Sequence, residues 1–316
     1  MIIVDPSSRV EELLSSAEKR LIRRFLEAVA AAQSAISLDE LEALVASGQT
    51  EELIRVIQSF SLSVSATLNQ EFIQAATQTI LFLNQQGLTQ AVLDQSVSRF
   101  SQRLTATRLR IVQGLEVEQR RILSQILQDG FTQGLNPRET ARRVRASIGL
   151  TPRQTSAVTN YENLLRTGNL EVLNRELRDR RFDRTIRRTF KDGDTLTEAQ
   201  ISRIVDRYRQ RYIDFRARTI ARTESLRAIH QGVFEAYEQA VDQGVIEADK
   251  ISRTWVTAGD ERVRDSHSPM NGQITPGLET PFISGDGNLL LFPGDPAAPP
   301  SDTIQCRCSV ATRVSV

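Results

Sequence analysis

Apolar side chains recur every three or four positions over most of the chain, the spacing that predicts amphipathic helices. The first such stripe runs from Val10 to Val29. Successive stripes are separated by residues that end helices or form turns, at Ser47-Gly48, Gly87 and Asp129-Gly130. Residues 5–245 are therefore predicted to form a succession of helices. The first is expected to start at Asp5-Pro6, with the aspartate as its cap.

Several later helix starts carry capping residues. Asn136-Pro137 and Thr151-Pro152 each place a capping side chain before a proline at the first helical position. Thr195 and Glu198 have the spacing of a capping box. This box is predicted to open a long helix that ends near Gln243-Gly244.

The pattern changes after Lys250. Residues 251–316 hold seven of the ten prolines and six of the 16 glycines. Ile304, Cys306, Cys308 and Val310 alternate with polar neighbours, as in a half-buried strand. Shorter strands are expected at 252–258 and 289–292. The chain is therefore predicted to be mainly α-helical with a small C-terminal α+β domain.

Chain length and pattern together suggest three regions, since 316 residues suffice for about two domains. Residues 1–136 form an N-terminal helical region whose apolar stripes serve docking or oligomerisation, or pack on each other. Residues 137–250 form a basic helical region that includes the long connecting helix. Residues 251–316 form a small loop-rich α+β domain, expected to be held on the 195–245 helix by ionic and loop contacts.

Arginine is concentrated in the middle of the chain. Residues 138–227 carry 22 basic and 12 acidic residues, net +10, whereas the segments before and after are net −3 and −6. A very basic helix is predicted from about Leu170 to Phe190, with arginines around most of its circumference. These arginines are Arg175, Arg178, Arg180, Arg181, Arg184, Arg187 and Arg188. They suit DNA phosphates without sequence preference, an acidic surface on a partner or neighbouring copy, or a solvated face paired with nearby carboxylates.

The composition excludes several classes of protein. With 40 basic and 39 acidic residues, the chain is neither polycationic nor polyacidic. Its apolar stretches are too short to cross a bilayer, and its first residues do not have the pattern of a secretory signal. A disulfide within Cys306-Arg307-Cys308 would be strained. A cytosolic type of chain with no membrane partner is expected.

Cys306 and Cys308 belong to the main candidate metal site. At positions i and i+2 of a strand their sulfurs would face the same side, and His267 could supply a third ligand. Thiolates and imidazole are ligands that zinc prefers, and structural zinc usually takes four. Asp260 or Asp265 is the candidate fourth ligand.

Two other interpretations of these residues remain open. Structural zinc cysteines are usually spaced more widely than these two, so both thiols could instead pack as small apolar groups beside Ile304 and Val310. Alternatively, His267 could act as general acid or base in a metal-dependent hydrolase or nuclease that also uses Cys306 and Cys308.

A polar cluster is predicted around residues 260–267. Its charged side chains are expected to form an ion-pair network that fixes loops with little apolar core, because loop backbone groups need polar partners. A phosphate site is the competing interpretation, as is a catalytic role for Glu224. The predicted members of the network are Arg222, Glu224, Asp260, Arg262, Arg264 and Asp265.

The last third of the chain carries motifs in a specific order and spacing. They are Ala221-Arg-Thr-Glu224, Trp255, Asp260-x-Arg262-x-Arg264, His267, Asn271-Gly272, Phe292-Pro-Gly-Asp-Pro296 and Ile304-Gln-Cys-Arg-Cys308. This set resembles the phage head morphogenesis family, the minor head proteins of the Mu F type found in tailed bacteriophages and prophages. The similarity covers roughly residues 130–312 and is strongest from 221 to 308.

The resemblance implies a low-copy, non-enzymatic protein inside the phage head. Such a protein would act in head morphogenesis and in DNA packaging or ejection. Its partners would be the portal protein and phage DNA, bound non-specifically through the backbone, with other copies of itself and capsid or scaffolding protein as further candidates. It would be found in the virion, and in the host cytoplasm during assembly. A general DNA-binding protein without a capsid role is a further alternative.

Overall fold

The computed structural model describes residues 2–88 and 90–315, without the side chains of residues 50, 56–60 and 108. The chain is 65% helical, with a small antiparallel sheet region near its C-terminus. The predicted fold class, mainly α-helical with a small C-terminal α+β domain, is therefore confirmed.

The helices within the described residues are α1 (Ser7–Ser34), α2 (Leu38–Ser47), α3 (Thr50–Gln85), α4 (Ser98–Thr132), α5 (Pro137–Ser147), α6 (Pro152–Arg166), α7 (Asp183–Lys191), α8 (Glu198–Asp242) and α9 (Pro300–Thr303). The strands are β1 (Ile2–Asp5), β2 (Ile251–Val256), β3 (Ile274–Pro276), β4 (Phe282–Ile283), β5 (Leu289–Leu290) and β6 (Ser309–Ser315). Short 3₁₀ turns occupy Leu170–Asn174, Arg180–Phe182, Ala248–Lys250 and Ser268–Met270.

The predicted caps of α5 and α6 are confirmed. Asn136 accepts a hydrogen bond from the backbone of Glu139, and Pro137 is the first residue of α5. Thr151 forms a capping box with Gln154 before Pro152. These ends were predictable because each cap is contained within four consecutive residues.

The predicted cap of α8 is wrong by two residues. The hydroxyl of Thr197 accepts from the backbone of Gln200, whose side chain accepts from the backbone of Thr197. Leu196, just before this cap, is buried in the same apolar core as Ile201. This apolar contact across the helix start favours Thr197 over Thr195 as the cap.

The basic segment between α6 and α8 is not the single helix that was predicted from Leu170 to Phe190. It consists of two 3₁₀ turns followed by the nine-residue helix α7. Asn169 accepts from the backbone of Glu171, and Asp179 accepts from the backbone of Arg181. Such local side-chain bonds compete with a continuous helix, which explains the interruption.

The chain forms two compact units, each assembled from segments that are distant in sequence. The helix–sheet unit comprises Met1–Arg24, Val64–Arg110 and Arg218–Val316. The helical unit comprises Phe25–Ser63 and Ile111–Ala217. Helices α1, α3, α4 and α8 each contribute a segment to both units.

The sheet of the helix–sheet unit includes the first residues of the chain. Its strand order is β1-β6-β2-β3, with antiparallel pairing throughout. Strand β1 pairs with β6, so Ile3 lies opposite Val314, and both side chains are buried. The expectation that the N-terminal region is only helical is therefore wrong for residues 2–5.

Asp5, predicted as the cap of α1, instead binds side chains. Its carboxylate accepts hydrogen bonds from the guanidinium of Arg9 and from the hydroxyl of Tyr237 on α8. The carboxylate is buried, with an exposed side-chain fraction of 2%. It therefore links the end of β1 to two helices.

A buried arginine holds the loops of the C-terminal region. Arg253 on β2 is 2% exposed. Its guanidinium donates hydrogen bonds to the carbonyl oxygens of Gly277, Thr280 and Leu291. Its charge also lies over the ring of Phe282, 5.2 Å from the centroid. Burial lowers the pKa of Arg253 to about 10, so the side chain remains charged at neutral pH.

The helical unit has apolar cores of its own. One joins α6, α7 and α8 and contains Tyr161 stacked on Tyr208, with ring centroids 3.9 Å apart. Another joins α2, α3, α4 and α5 around Leu41 and Ile122. Among the described helices, none combines the length and the apolar character that a bilayer crossing requires.

Candidate metal site and basic surface

His267, Cys306 and Cys308 come together in the helix–sheet unit. Nδ1 of His267 lies 3.6 Å from Sγ of Cys306 and 3.5 Å from Sγ of Cys308. All three side chains are buried, and the ligand atom that each offers lies within 4.8 Å of the other two. The structure therefore places the three predicted metal ligands around one point.

The two cysteines do not lie on a strand, which corrects the prediction. Helix α9 ends at Thr303, and β6 begins only at Ser309. Between them Gln305 adopts a left-handed backbone conformation, with φ of 55°. This turn interrupts the predicted strand. Both sulfurs nevertheless face the same imidazole.

Gln305 is held by α8. Its backbone N–H donates a hydrogen bond of 3.0 Å to the hydroxyl of Thr223, and its side-chain amide donates one of 2.9 Å to the hydroxyl of Thr219. Thr219 and Thr223 are one helical turn apart, so they share a face of α8. Thr223 and Gln305 each lie in one of the motifs quoted above, but their contact spans 82 residues, so no local pattern indicated it.

A buried carboxylate faces the other side of His267. Nε2 of His267 lies 3.4 Å from Oδ1 of Asp302, whose side chain has no exposed surface. Asp302 accepts hydrogen bonds from Ser266 and Asn288. The ring of Trp255 packs edge-on against the imidazole, with centroids 5.6 Å apart. These contacts orient Nδ1 toward the sulfurs, and nothing in the sequence near Asp302 indicated its role.

The two thiols have different electrostatic environments. Hydrogen bonds from Cys308, together with the contact to His267, hold the pKa of Cys306 well below its usual range. The adjacent Cys306 sulfur and burial raise the pKa of Cys308. The backbone N–H of Cys308 also points at the sulfur of Cys306, 3.4 Å away.

Purely apolar packing does not describe these thiols. Ile304, one of the two apolar neighbours expected beside them, is 46% exposed, whereas Val310 is 9% exposed. The sulfurs instead face an imidazole nitrogen and a backbone amide. Their surroundings are polar on at least one side.

Neither aspartate proposed as a fourth ligand reaches this group. Asp260 forms ion pairs with Arg307 and Arg262, and Asp265 is exposed. The guanidinium of Arg307 holds the pKa of Asp260 well below its ordinary value. Within residues 2–88 and 90–315, the side chains close enough together to hold one metal ion are His267, Cys306 and Cys308. The prediction of Asp260 or Asp265 as a ligand is wrong.

Asp260 and Arg262 pair within the predicted polar network, but the prediction that Arg222 and Glu224 join it is wrong. Arg222 pairs with Glu18 on α1. Glu224 pairs with Arg227 at 2.8 Å and with Arg110 on α4 at 3.3 Å. Residues two apart on a helix point in different directions, so α8 sends these two side chains to different partners.

Other polar groups hold the loops next to the ligand group. Arg264 donates hydrogen bonds to the carbonyl oxygens of Asp302 and Ile304, just before Cys306. Arg227 donates one of 3.0 Å to the carbonyl of Gly294. Asp295 accepts from the backbones of Leu291 and Ala297. The Pro293–Pro296 motif is therefore fixed through backbone contacts.

Two of the seven candidate arginines form close ion pairs with neighbouring carboxylates. Arg178 forms a bidentate pair with Asp183, and Arg181 pairs with Asp179. The Arg181 guanidinium holds the pKa of Asp179 well below its ordinary value. Among the other five, Arg188 lies 3.9 Å from the carboxylate of Asp192, Arg175 is half-buried and Arg180 is exposed.

The remaining three form an exposed stripe. We define the α7 arginine stripe as Arg184, Arg187 and Arg188, which are exposed at helical spacing. Ile186, which points the other way, is fully buried. The arginines of α7 thus share one face, which corrects the expected spread around a longer helix.

The chain matches the model of one protein family. Residues 180–311 match the family described as Phage Mu protein F like protein. No curated protein and no solved structure matches the chain. The matched stretch contains α7, α8 and strands β2 to β5, with His267, Cys306 and Cys308. The match over residues 180–311 supports a Mu F-like phage head morphogenesis protein.

Proposed function

We propose that this protein is a minor head protein that resides inside the phage head and binds the portal protein. It would be present in the host cytoplasm during assembly and in the virion afterwards, and would support DNA packaging or ejection. Other copies of the chain and capsid or scaffolding protein are further candidate partners. The observation that carries the proposal is the match of residues 180–311 to the model of the Mu F-like family.

Non-specific contact with packaged DNA is part of this proposal. The α7 arginine stripe offers three exposed guanidinium groups on one face of a helix. The buried Ile186 fixes the opposite face of that helix in an apolar core. Guanidinium groups bind phosphate oxygens through paired hydrogen bonds, and such contacts do not depend on base sequence.

A structural role fits the candidate residues better than hydrolysis of DNA. His267 is 1% exposed, and its two ring nitrogens face Asp302 and the two cysteines. A general acid must come within hydrogen-bond reach of the group it protonates, and a phosphodiester backbone cannot enter so closed a site. Glu224, the other candidate catalytic group, is paired with two arginines.

The portal contact can be tested by co-expressing the tagged chain with the portal protein of the same phage. The two proteins are expected to elute together in size-exclusion chromatography. In purified DNA-filled heads, the chain should be detected by immunoblot and should resist protease added outside. Its absence from washed heads, or separate elution of the two proteins, would contradict the proposal.

The DNA contact can be tested by filter binding at rising salt. Changing the three arginines of the α7 arginine stripe to glutamine should reduce the slope of log affinity against log salt by roughly 3, since each phosphate contact contributes about 0.9. A matched control changes three exposed arginines of the helical unit, on α4 and α5, to glutamine. These control residues are Arg120, Arg121 and Arg142.

Comparing the two triple variants shows whether the α7 arginine stripe contacts DNA. The control variant is expected to bind DNA as the wild type does. Equal losses in both variants would show that general positive charge, and not the stripe, binds DNA. Unchanged binding by the stripe variant would also overturn this part of the proposal. Neither outcome bears on the portal experiment.

A further inference from the structure

The separations around His267 match those of a tetrahedral zinc centre. Zinc binds thiolate sulfur at about 2.3 Å and imidazole nitrogen at about 2.0–2.1 Å, which places the two ligand atoms about 3.6 Å apart at the tetrahedral angle. Nδ1 of His267 lies 3.6 Å from the Cys306 sulfur and 3.5 Å from the Cys308 sulfur. Both nitrogen–sulfur separations therefore have the length expected when one zinc ion lies between the three atoms.

Hydrogen bonding alone does not account for both sulfur contacts. A ring nitrogen has either one proton to donate or one lone pair to accept with. Nδ1 of His267 can thus form one good hydrogen bond, yet two sulfurs lie at nearly the same distance from it. A bound cation satisfies all three atoms at once, because each then directs a lone pair at the metal.

The surroundings of the three ligands are those of a metal site. Histidine ligands commonly present their second ring nitrogen to a carboxylate, which fixes the tautomer and the orientation of the ring. Nε2 of His267 faces the buried carboxylate of Asp302 at 3.4 Å. A proton on Nε2 leaves the lone pair of Nδ1 directed at the sulfurs. The backbone N–H of Cys308, pointing at the Cys306 sulfur, stabilises negative charge there.

The types of ligand atom favour zinc over other divalent cations. Two thiolates and one imidazole suit zinc, whereas magnesium and calcium prefer oxygen ligands. Two thiolates also neutralise a divalent cation, which removes the cost of burying a net charge. On binding, the ion replaces the two thiol protons, which leave to solvent.

We propose that His267, Cys306 and Cys308 bind one zinc ion that joins the loop at residues 264–268 to the segment before β6. Strand β6 lies between β1 and β2 in the sheet, so the ion ties a loop to the start of a central strand. Small loop-rich regions commonly need such a staple because their apolar core is limited. The proposal is independent of the proposed head function.

The first test measures metal in the full-length protein purified without chelator. Elemental analysis should find one zinc per chain. Cobalt exchanged into the site should give the intense visible bands of tetrahedral coordination and a thiolate-to-cobalt charge-transfer band. Removing zinc with a chelator should lower the melting temperature, and added zinc should restore it. Wild-type protein that takes up neither zinc nor cobalt stoichiometrically would overturn the proposal.

Variants identify the ligands. C306S, C308S and H267N should each lose stoichiometric zinc, and D302N should keep it with an affinity 10–100-fold lower. D260N and D265N are matched controls that should bind zinc as the wild type does. A zinc affinity unchanged in C306S and C308S would contradict the assignment, as would loss of zinc in D265N. If a ligand variant fails to fold, the cobalt spectrum of wild-type protein still decides whether thiolates bind the metal.

Discussion

Gly232 on α8 lies against the backbone carbonyl of Phe72 on α3, within the helix–sheet unit. A β-carbon at position 232 would overlap this carbonyl oxygen and would come within 2.9 Å of the β-carbon of Ala75. The two helices therefore approach each other at a point where only a hydrogen atom fits.

We predict that Gly232→Ala destabilises the protein by about 3 kcal/mol, because the obstacle is backbone, which cannot turn away as a side chain can. The loss should appear as a lower midpoint in urea unfolding followed by circular dichroism. Gly114→Ala on α4 is the control, since a β-carbon there meets no atom within 4 Å. That change should stabilise by about 0.5–1 kcal/mol through helix propensity. Equal effects of the two changes would contradict the close approach.

Thr223→Val should loosen the segment that carries the cysteines. The substitution keeps the shape of the side chain but removes the hydroxyl that accepts from the backbone of Gln305. Leaving this partly buried N–H without a partner costs up to about 1–3 kcal/mol. Ser202→Ala removes an exposed hydroxyl from the same helix and should change the unfolding midpoint little. A wild-type midpoint for Thr223→Val would show that this hydrogen bond does not hold Gln305.

Arg253→Lys should destabilise the loops of the helix–sheet unit by roughly 2–3 kcal/mol, although the charge is kept. A lysine ammonium lacks the planar fork that reaches three carbonyls at once. The nearby Arg313→Lys is the control, since Arg313 is exposed on β6, and it should stay within about 0.5 kcal/mol of the wild type. Thermal unfolding followed by Trp255 fluorescence reports the difference, and equal stability of the two variants would refute the prediction.

Protonation of Asp179 at low pH should weaken its ion pair with Arg181 in the helical unit. The ion pair with Arg181 lowers the pKa of Asp179 in the folded protein below its ordinary value of 3.8. The ionised carboxylate therefore stabilises the folded state above that ordinary pKa, and the stabilisation is lost as the pH falls through the lowered one.

Asp179→Asn keeps the side-chain oxygen that accepts from the backbone of Arg181 but removes the charge. The variant should be less stable than the wild type near neutral pH by ~1 kcal/mol, and the difference should shrink between about pH 5 and pH 2. Urea midpoints across this range measure it. Asp206→Asn removes an exposed charge paired with Arg209 and should show a smaller difference. If the stability difference between the wild type and Asp179→Asn stayed constant with pH, the charge of Asp179 would be excluded as its cause.

Features that depend on a few neighbouring residues could be predicted. The capping of α5 by Asn136 and of α6 by Thr151 follows from residues within one turn of each helix. The interruption near Asp179 was missed although it is local, because helical spacing of apolar residues persists across it. The Thr195 box was placed wrongly because the Thr197 box two residues later has the same pattern.

Features that join distant segments could not be predicted. Cys306, Cys308 and His267 were predicted as candidate metal ligands by residue type, but residue type did not show that Asp260 and Asp265 lie away from them. The buried partner of the imidazole is Asp302.

Residue patterns alone predicted the helical character of the chain, the change of architecture after Lys250, the candidate metal ligands and the family resemblance. Periodicity, capping and residue type are properties of short segments, so they can be recognised in the amino-acid sequence alone. The pairing of β1 with β6, and the approach of two sulfurs to one ring nitrogen of His267, could be seen only in the folded chain. Such contacts depend on how the whole chain buries its apolar surface and satisfies its backbone hydrogen bonds, which no local pattern records.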